Sequence, residues 1–282
     1  MATFYNQASL TFGGAVTNSN ITEGEILSAL TLTKTAASSD YGAGDGITYV
    51  ISIVNAGLSS YDNVTLVDNL GRFTVGALEI TPLTYIDGSL LYYIDGALQA
   101  PPAVTAGETL EISGINIPAG SNATIIYEAR ANSTAPLDRE ASITNTVQSV
   151  GGSCELSGTA TVPTRDEPIL SIAKSVCPAT VNCAGEVTYT IIIQNSGNTE
   201  VVATDDLIVN DVFTPILNNI SVTLDGTALT EGVGYSYNAE TGEFATLPGA
   251  ITVPAATFTR DAITGVIATT PGVAVLTISG TV

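Results

Sequence analysis

Short stretches in which apolar and polar residues alternate run through the whole chain. From residue 46 to 55 (GITYVISIVN) apolar side chains recur at every second position, and the pattern returns from 186 to 195 (EVTYTIIIQN). A period of two is typical of β-strands with one buried face, and Gly, Asn and Pro separate such stretches as turn residues. No stretch has a sustained helical period. The chain of 282 residues is long enough for two cores, and the pattern predicts an all-β protein of two tandem immunoglobulin-like antiparallel β-sandwich domains.

An internal repeat supports two domains. Four residues of one segment recur 140 positions later: Lys34, Tyr49, Asn55 and Gly57 return as Lys174, Tyr189, Asn195 and Gly197. A segment rich in Pro and charge, 163–168 (PTRDEP), lies between the copies, as is usual at a domain boundary. We therefore predict a first sandwich over residues 23–164 and a second over residues 165–282.

The second repeat lacks the last piece of the first. After its late strand the first repeat continues with a hairpin-like segment, 141–162, whereas the second repeat stops at Val282. The N-terminal segment 2–21 aligns with the segment from 141 onward, with Asn6 on Asn145. Residues 1–22 are therefore predicted to be a donor strand or hairpin that closes the second domain of a neighbouring subunit. The residues expected to fill the groove are Phe4, Ala8, Leu10 and Phe12.

Polar residues stand on the apolar faces of predicted strands. In the first repeat these are Lys34, Asp68 and Asn145; in the second they are Lys174 and Asp211, with Asn6 supplied by the donor segment. Burial favours a neutral amine and a neutral acid, the forms that attack and polarise an Asn carboxamide. One hypothesis is a Lys–Asn isopeptide bond within the first domain and another between subunits. The alternative is a buried Lys–Asp ion pair with Asn satisfying the remaining hydrogen bonds.

The composition excludes several functions. Asp and Glu number 27 against 7 Lys and Arg, so a net charge of −20 disfavours nucleic acid and anionic membrane as partners. Without histidine, the three cysteines cannot complete a usual zinc site, and the common general base is missing. Motifs of hydrolases and nucleotide-binding enzymes do not occur in the sequence. We expect neither a cofactor nor an enzymatic activity.

The cysteines leave several pairings open. Cys177 and Cys183 flank a turn in the second repeat, and Cys154 lies in the closing hairpin of the first. A local disulfide, an intersubunit disulfide and free thiols are all compatible with this odd number.

The apolar runs and the N-terminus bear on the cellular location. The longest apolar runs have the length of a strand, well short of the roughly 18–20 residues of a membrane helix. The first residues, MATFYNQASL, lack the basic and apolar regions of a secretory signal. We therefore expect synthesis in the cytoplasm without a signal peptide and no insertion in a membrane.

The repeated pattern of Lys34, Tyr49-x-Ile51, Asn55-x-Gly57 and an aspartate-ended strand, closed by a strand that carries Asn, resembles the bacterial conserved-repeat family known as domain of unknown function eleven. This resemblance implies immunoglobulin-type sandwiches in surface-exposed proteins rather than catalysis. Two such repeats in a compact chain are similar to the major subunits of ribbon-like appendages on some spore-forming bacteria. That similarity implies display on a spore or cell surface.

Two functions follow as expectations. The first is a structural subunit that assembles head to tail with copies of itself into an extracellular fibre, with an anchoring protein on the spore or cell surface as a further partner. The alternative is a monomeric, adhesin-like surface module whose hairpin folds back on its own second domain and whose loop Gly232–Glu243 binds a ligand.

Overall fold

The computed structural model describes residues 2–26, 29–151, 155–182 and 185–282, which form almost entirely antiparallel β-structure. The prediction of an all-β protein is confirmed. Within these ranges the one helical segment is a single 3₁₀ turn, Ala203–Asp205, and no helix there is long and apolar enough to cross a membrane.

The N-terminal residues form one long hairpin. Two ladders follow each other along it, β1 with β4 and β2 with β3. Gly13 and Gly14, both at positive φ, make the two-residue turn that connects β2 to β3. The strands are β1 (Ala2–Asn6), β2 (Ser9–Phe12), β3 (Ala15–Asn18) and β4 (Thr22–Ile26).

The first domain consists of two sheets that face each other. One sheet has the order β12-β11-β15-β6-β5, with β10 also on β15, and the other has the order β13-β14-β7-β16-β17. A short hairpin, β8 with β9, stands outside them. The strands are β5 (Leu30–Ala36), β6 (Gly46–Asn55), β7 (Tyr61–Asp68), β8 (Phe73–Val75), β9 (Leu78–Ile80), β10 (Leu83–Tyr85), β11 (Leu91–Ile94), β12 (Ala97–Gln99), β13 (Ala103–Ala106), β14 (Leu110–Ile117), β15 (Asn122–Ala131), β16 (Ser142–Val150) and β17 (Ser157–Pro163).

The core of the first domain follows from the alternation. In β6 the buried apolar residues are Ile47, Tyr49, Ile51 and Ile53, while the residues between them are more exposed. The hairpin of β16 and β17 closes the sandwich: β16 pairs with β7, and β17 lies beside β5. A Cβ on Gly158 of β17 would come within 2.5 Å of the Leu32 side chain, so glycine is what allows the two strands to approach so closely.

The second domain repeats part of this plan. Its larger sheet has the order β18-β19-β27-β21-β22, and a smaller sheet has the order β20-β24-β23, with β25 and β26 as a separate hairpin. The strands are β18 (Leu170–Cys177), β19 (Glu186–Asn195), β20 (Asn210–Val212), β21 (Asn218–Leu224), β22 (Thr227–Ala228), β23 (Tyr235–Tyr237), β24 (Glu243–Thr246), β25 (Thr257–Arg260), β26 (Ile267–Thr270) and β27 (Gly272–Thr281). Strands β18, β19, β20 and β27 occupy the places of β5, β6, β7 and β15.

The segment between the repeats is held in place rather than free. Thr164 makes a parallel bridge to Tyr41, and the guanidinium of Arg165 contacts Asp40 at 2.8 Å and Asp45 at 2.9 Å. In addition, Arg260 of β25 donates to the Thr134 carbonyl at 2.9 Å. The two domains are thus joined by side-chain and backbone contacts besides the chain itself.

Candidate functional site

A buried polar cluster lies inside the first domain, and we call it the first cluster: Lys34, Asp68, Tyr127 and Asn145. Four strands position these residues, because β5, the end of β7, β15 and β16 each turn one polar side chain inward. Lys34 Nζ lies 2.5 Å from Asp68 Oδ2, and both side chains are fully shielded from solvent. The structure therefore brings together the three first-repeat residues that the sequence singled out.

Tyr127 links the carboxylate to the amide. Its hydroxyl donates to Asp68 Oδ2 at 2.6 Å and accepts a hydrogen bond from Asn145 Nδ2 at 3.1 Å. The other oxygen of Asp68 accepts from the backbone N–H of Leu70 at 2.9 Å. A continuous chain of hydrogen bonds thus runs from the amine of Lys34 to the carboxamide of Asn145.

Burial in the first cluster makes the neutral form of the Lys34 amine easier to reach than it is in water. It lowers the pKa of Lys34 to about 8, and the nearby Asp68 opposes this shift without cancelling it. The ring of Tyr49, whose centroid lies 4.7 Å from Lys34 Nζ, also favours the charged form. Burial raises the pKa of Tyr127 well above its usual range, and the charge of Asp68 adds to this, so the phenol keeps its proton.

A backbone N–H group donates a hydrogen bond to the carbonyl oxygen of the Asn145 side chain. The N–H of Gly71 donates to Asn145 Oδ1 at 3.2 Å, in the buried turn after β7. A donor on this oxygen would stabilise negative charge that develops there during attack on the carboxamide. Sequence reasoning found neither Gly71 nor Tyr127, because both act through contacts between distant strands.

Tyr49 differs from the expectation for a buried tyrosine. Its hydroxyl lies near Asn145, yet among the described residues it makes no hydrogen bond. Its ring stacks on that of Tyr127, with centroids 5.5 Å apart. Tyr49 therefore packs against the first cluster and is not part of its hydrogen-bond chain.

The second repeat places Lys174 and Asp211 in contact, and we call this pair the second cluster. Its environment differs from the first, since the side chain of Lys174 is 39% exposed and that of Asp211 16%. The rings of Tyr189 and Phe213 lie beside the ammonium, at 4.5 and 5.2 Å to their centroids. Lys174 was expected to face an interior that the hairpin of a neighbouring subunit closes, and in the single chain that face of the sheet is uncovered.

Lys174 is exposed because its strand, β18, lies at an open edge of its sheet. β18 is an edge strand with every residue exposed, whereas its counterpart β5 is covered by β17. β20 pairs only with β24, and in the described residues no strand pairs with its other edge. Ile172 on β18 is 62% exposed, so an apolar face accompanies the unpaired backbone.

The predicted donor residues are exposed and do not fill such a groove within their own chain. Asn6 pairs with Thr22 in the hairpin, so the chain does not itself unite Asn6 with Lys174 and Asp211. Every residue from Thr3 to Glu23 is exposed on the hairpin. The four donor residues are among them: Phe4, Ala8, Leu10 and Phe12.

The remaining candidates are the cysteines, possible metal ligands and one loop. Cys177 is an exposed thiol, and Cys154 and Cys183 lie outside the described residues. Within the described ranges no three side chains of His, Cys, Asp or Glu gather as metal ligands would. The loop proposed for ligand binding, Gly232–Glu243, contains β23 and pairs with β24.

Comparisons with known proteins give structural likeness alone. No protein-family model matches the sequence, and no curated protein matches it. Among solved structures, the chain is similar to the major pilin subunit of Bacillus cereus (12% identity, TM-score 0.36, 87% of this chain and 63% of that one). It is also similar to the pilus backbone of Streptococcus pneumoniae (11%, 0.35, 86% and 55%) and to the collagen-binding domain of a Staphylococcus aureus adhesin (14%, 0.31, 50% and 100%).

Proposed function

We propose that the chain is a structural subunit that polymerises head to tail into an extracellular fibre or spore appendage. The N-terminal hairpin of one copy would close the second domain of the next by donor-strand complementation. Isopeptide bonds between Lys and Asn would then lock the first domain and the junction between subunits. The proposal rests on two features that occur in the same chain. Within the described ranges, the second domain has strands with free edges, β18 and β20, and the N-terminal hairpin is exposed along its length.

The first domain supplies the template for the junction. There, the β16–β17 hairpin fills the gap between β7 and β5. In the second domain the corresponding gap lies between β20 and β18, and both facing edges are free in the described residues. A hairpin, with two strands and one turn, fits this gap better than a single strand would.

The hairpin and the gap both expose apolar side chains. Phe12 is 85% exposed and Leu10 68%, while β18 presents Ile172, which is 62% exposed and two residues from Lys174. Unpaired strand edges and exposed apolar side chains are both costly in water, and an added strand satisfies both. The partner of this surface would be the hairpin of a second copy. Because donor and acceptor are different surfaces, the contact is head to tail and propagates into a filament unless it closes a ring.

The covalent step has a balanced chemistry. The neutral amine of Lys34 attacks the carboxamide carbon of Asn145, a C–N bond forms, and the Nδ2 nitrogen leaves as ammonia. No oxidant or cofactor is required. At the junction, Asn6 of the donor would take the place of Asn145, opposite Lys174 and Asp211.

Removal of the hairpin tests the assembly. The full chain and a chain lacking residues 2–26 are compared by light scattering after size exclusion and by negative-stain microscopy. We expect concentration-dependent fibres from the first and monomers from the second. A synthetic peptide of residues 2–26 should then bind the truncated chain one to one.

A matched peptide sharpens this test. Replacing Phe4, Leu10 and Phe12 by serine should abolish binding, whereas replacing Thr3, Ser9 and Thr11 by alanine should leave it intact. A full chain that stays monomeric at high concentration, with its hairpin on its own second domain, would show the adhesin-like alternative to be correct.

A further inference from the structure

Tyr127 occupies the one position in the first cluster that contacts both the carboxylate and the departing nitrogen. Its hydroxyl lies 2.6 Å from Asp68 Oδ2 and 3.1 Å from Asn145 Nδ2. Lys34 Nζ contacts the same oxygen of Asp68. The three groups therefore form a path along which one proton can move from the amine to the amide nitrogen.

We propose that Tyr127 is a catalytic residue of the Lys34–Asn145 reaction, as the acid that protonates the leaving nitrogen. The inference rests on the proposed cross-link. When Nζ attacks the carboxamide carbon, a proton of Nζ passes to Asp68 Oδ2. The Tyr127 hydroxyl gives its own proton to Nδ2, which leaves as ammonia, and regains one from Asp68. The net change is one proton moved from Nζ to Nδ2, so Asp68 and Tyr127 end in their starting forms.

The surroundings suit this role. Tyr127 is fully buried, so bulk water is a poor source of the proton. Burial and the charge of Asp68 keep its pKa high, and the phenol is therefore present as a donor at neutral pH. Amide nitrogen is a poor leaving group unless it is protonated, which makes this donor the part of the site most needed for the collapse of the tetrahedral intermediate.

The second repeat lacks this residue. Tyr127 lies opposite Tyr49 in the β15–β6 ladder, and in the equivalent β27–β19 ladder Ile278 lies opposite Tyr189. The second cluster thus has the Lys, the Asp and the first tyrosine of the repeat, but an aliphatic side chain in place of the phenol. The two sites are not chemically equivalent, and the first is the better equipped to react.

The test follows the reaction during refolding. Chain recovered in denaturant is refolded, and the loss of ammonia is followed by intact mass for the wild type, Tyr127→Phe and Tyr49→Phe. Tyr49→Phe is the matched control, because it removes the hydroxyl of the adjacent buried ring. We expect Tyr127→Phe to slow the first loss of ammonia on the order of 100-fold, the usual effect of a positioned acid, and Tyr49→Phe to slow it little.

The outcomes separate the two proposals. If the wild-type mass equals the mass calculated from the sequence both in denaturant and after refolding, the cross-link itself is wrong. If the wild type reacts and folded Tyr127→Phe reacts equally fast, only the role of Tyr127 is wrong.

A second measurement covers a variant that does not fold. Difluorotyrosine at position 127 keeps the size and hydrogen bonds of the residue but ionises at lower pH. If the phenol is the acid, this stronger acid should speed the loss of ammonia at a fixed, neutral pH. A rate equal to that of the wild type would overturn the role of Tyr127.

Discussion

Nζ of Lys34 lies 2.5 Å from Oδ2 of Asp68 in an interior that shields both side chains completely. The repeat-equivalent Lys174 and Asp211 are in contact too, but at an open edge. The same pair of residue types therefore occurs twice in one chain, once buried and once partly in water. This difference allows the effect of burial to be measured with internal controls.

The first prediction concerns the free energy of unfolding. In an Asn145→Ala background, which cannot form the proposed cross-link, Lys34→Met should lower the stability of the first domain by about 3–5 kcal/mol, because it leaves Asp68 as an uncompensated buried charge. Lys174→Met in the monomer should cost at most about 1 kcal/mol, as expected for an exposed pair. The double variant Lys34→Met/Asp68→Leu should recover most of the loss. Urea unfolding measures all three, and equal losses for the two lysine variants would contradict the prediction.

The second prediction concerns pH. Burial lowers the pKa of Lys34 from 10.5 to about 8, so between these values the unfolded chain carries a proton that the folded chain lacks. Stability should therefore rise with pH across this window. Asn145→Ala, which cannot form the bond, shows the slope, and Lys34→Met/Asn145→Ala should lack it. Tyrosines titrate in both variants and cancel in the comparison. Identical slopes of stability against pH in these two variants would mean that folding does not shift the pKa of Lys34.

The alternation of the strands was sufficient to predict much of the first cluster. Because Lys34, Asp68 and Asn145 each share a strand face with apolar residues, a period of two places them in one interior. The same alternation placed Lys174 and Asp211 on the apolar faces of strands in the second repeat, and the structure brings the two side chains into contact.

Two features could not be predicted in this way. Tyr127 reaches Asp68 through the register of β15 on β6, and pairing between distant strands is not visible in one sequence. The exposure of Lys174 follows from the missing closing segment of the second repeat, which comparison of the repeats indicates but the alternation within a strand does not. Local periodicity specifies a face, but only packing decides whether that face is buried.

The third prediction concerns the closing hairpin of the first domain. A side chain at Gly158 would press on Leu32 at 2.5 Å and on the backbone nitrogen of Lys34 at 3.0 Å. Gly158→Val should therefore push β17 from β5, lower stability by about 1–3 kcal/mol and slow cross-linking. Gly46→Ala, where a Cβ meets nothing within 4 Å, is the control. Thermal unfolding and intact mass provide the measurements; a Gly158→Val protein as stable as the control would show that the strands do not need this close approach.

The last prediction concerns the junction between subunits. Asn6→Ala keeps the apolar residues of the donor hairpin and its backbone hydrogen bonds, but it removes the carboxamide proposed to react with Lys174. Fibres should therefore still assemble, because the seated strands supply the affinity, yet they should fall apart in boiling detergent, where only covalent bonds persist. Lys174→Arg should behave in the same way, while Asn18→Ala, another asparagine of the same hairpin, should leave the fibres resistant.

Since Ile278 stands where the first domain has Tyr127, resistance of wild-type fibres to boiling should develop more slowly than the first loss of ammonia. Electrophoresis of boiled samples taken during assembly measures both effects. If Asn6→Ala fibres withstood boiling as well as those of Asn18→Ala, the junction would be held by some other bond.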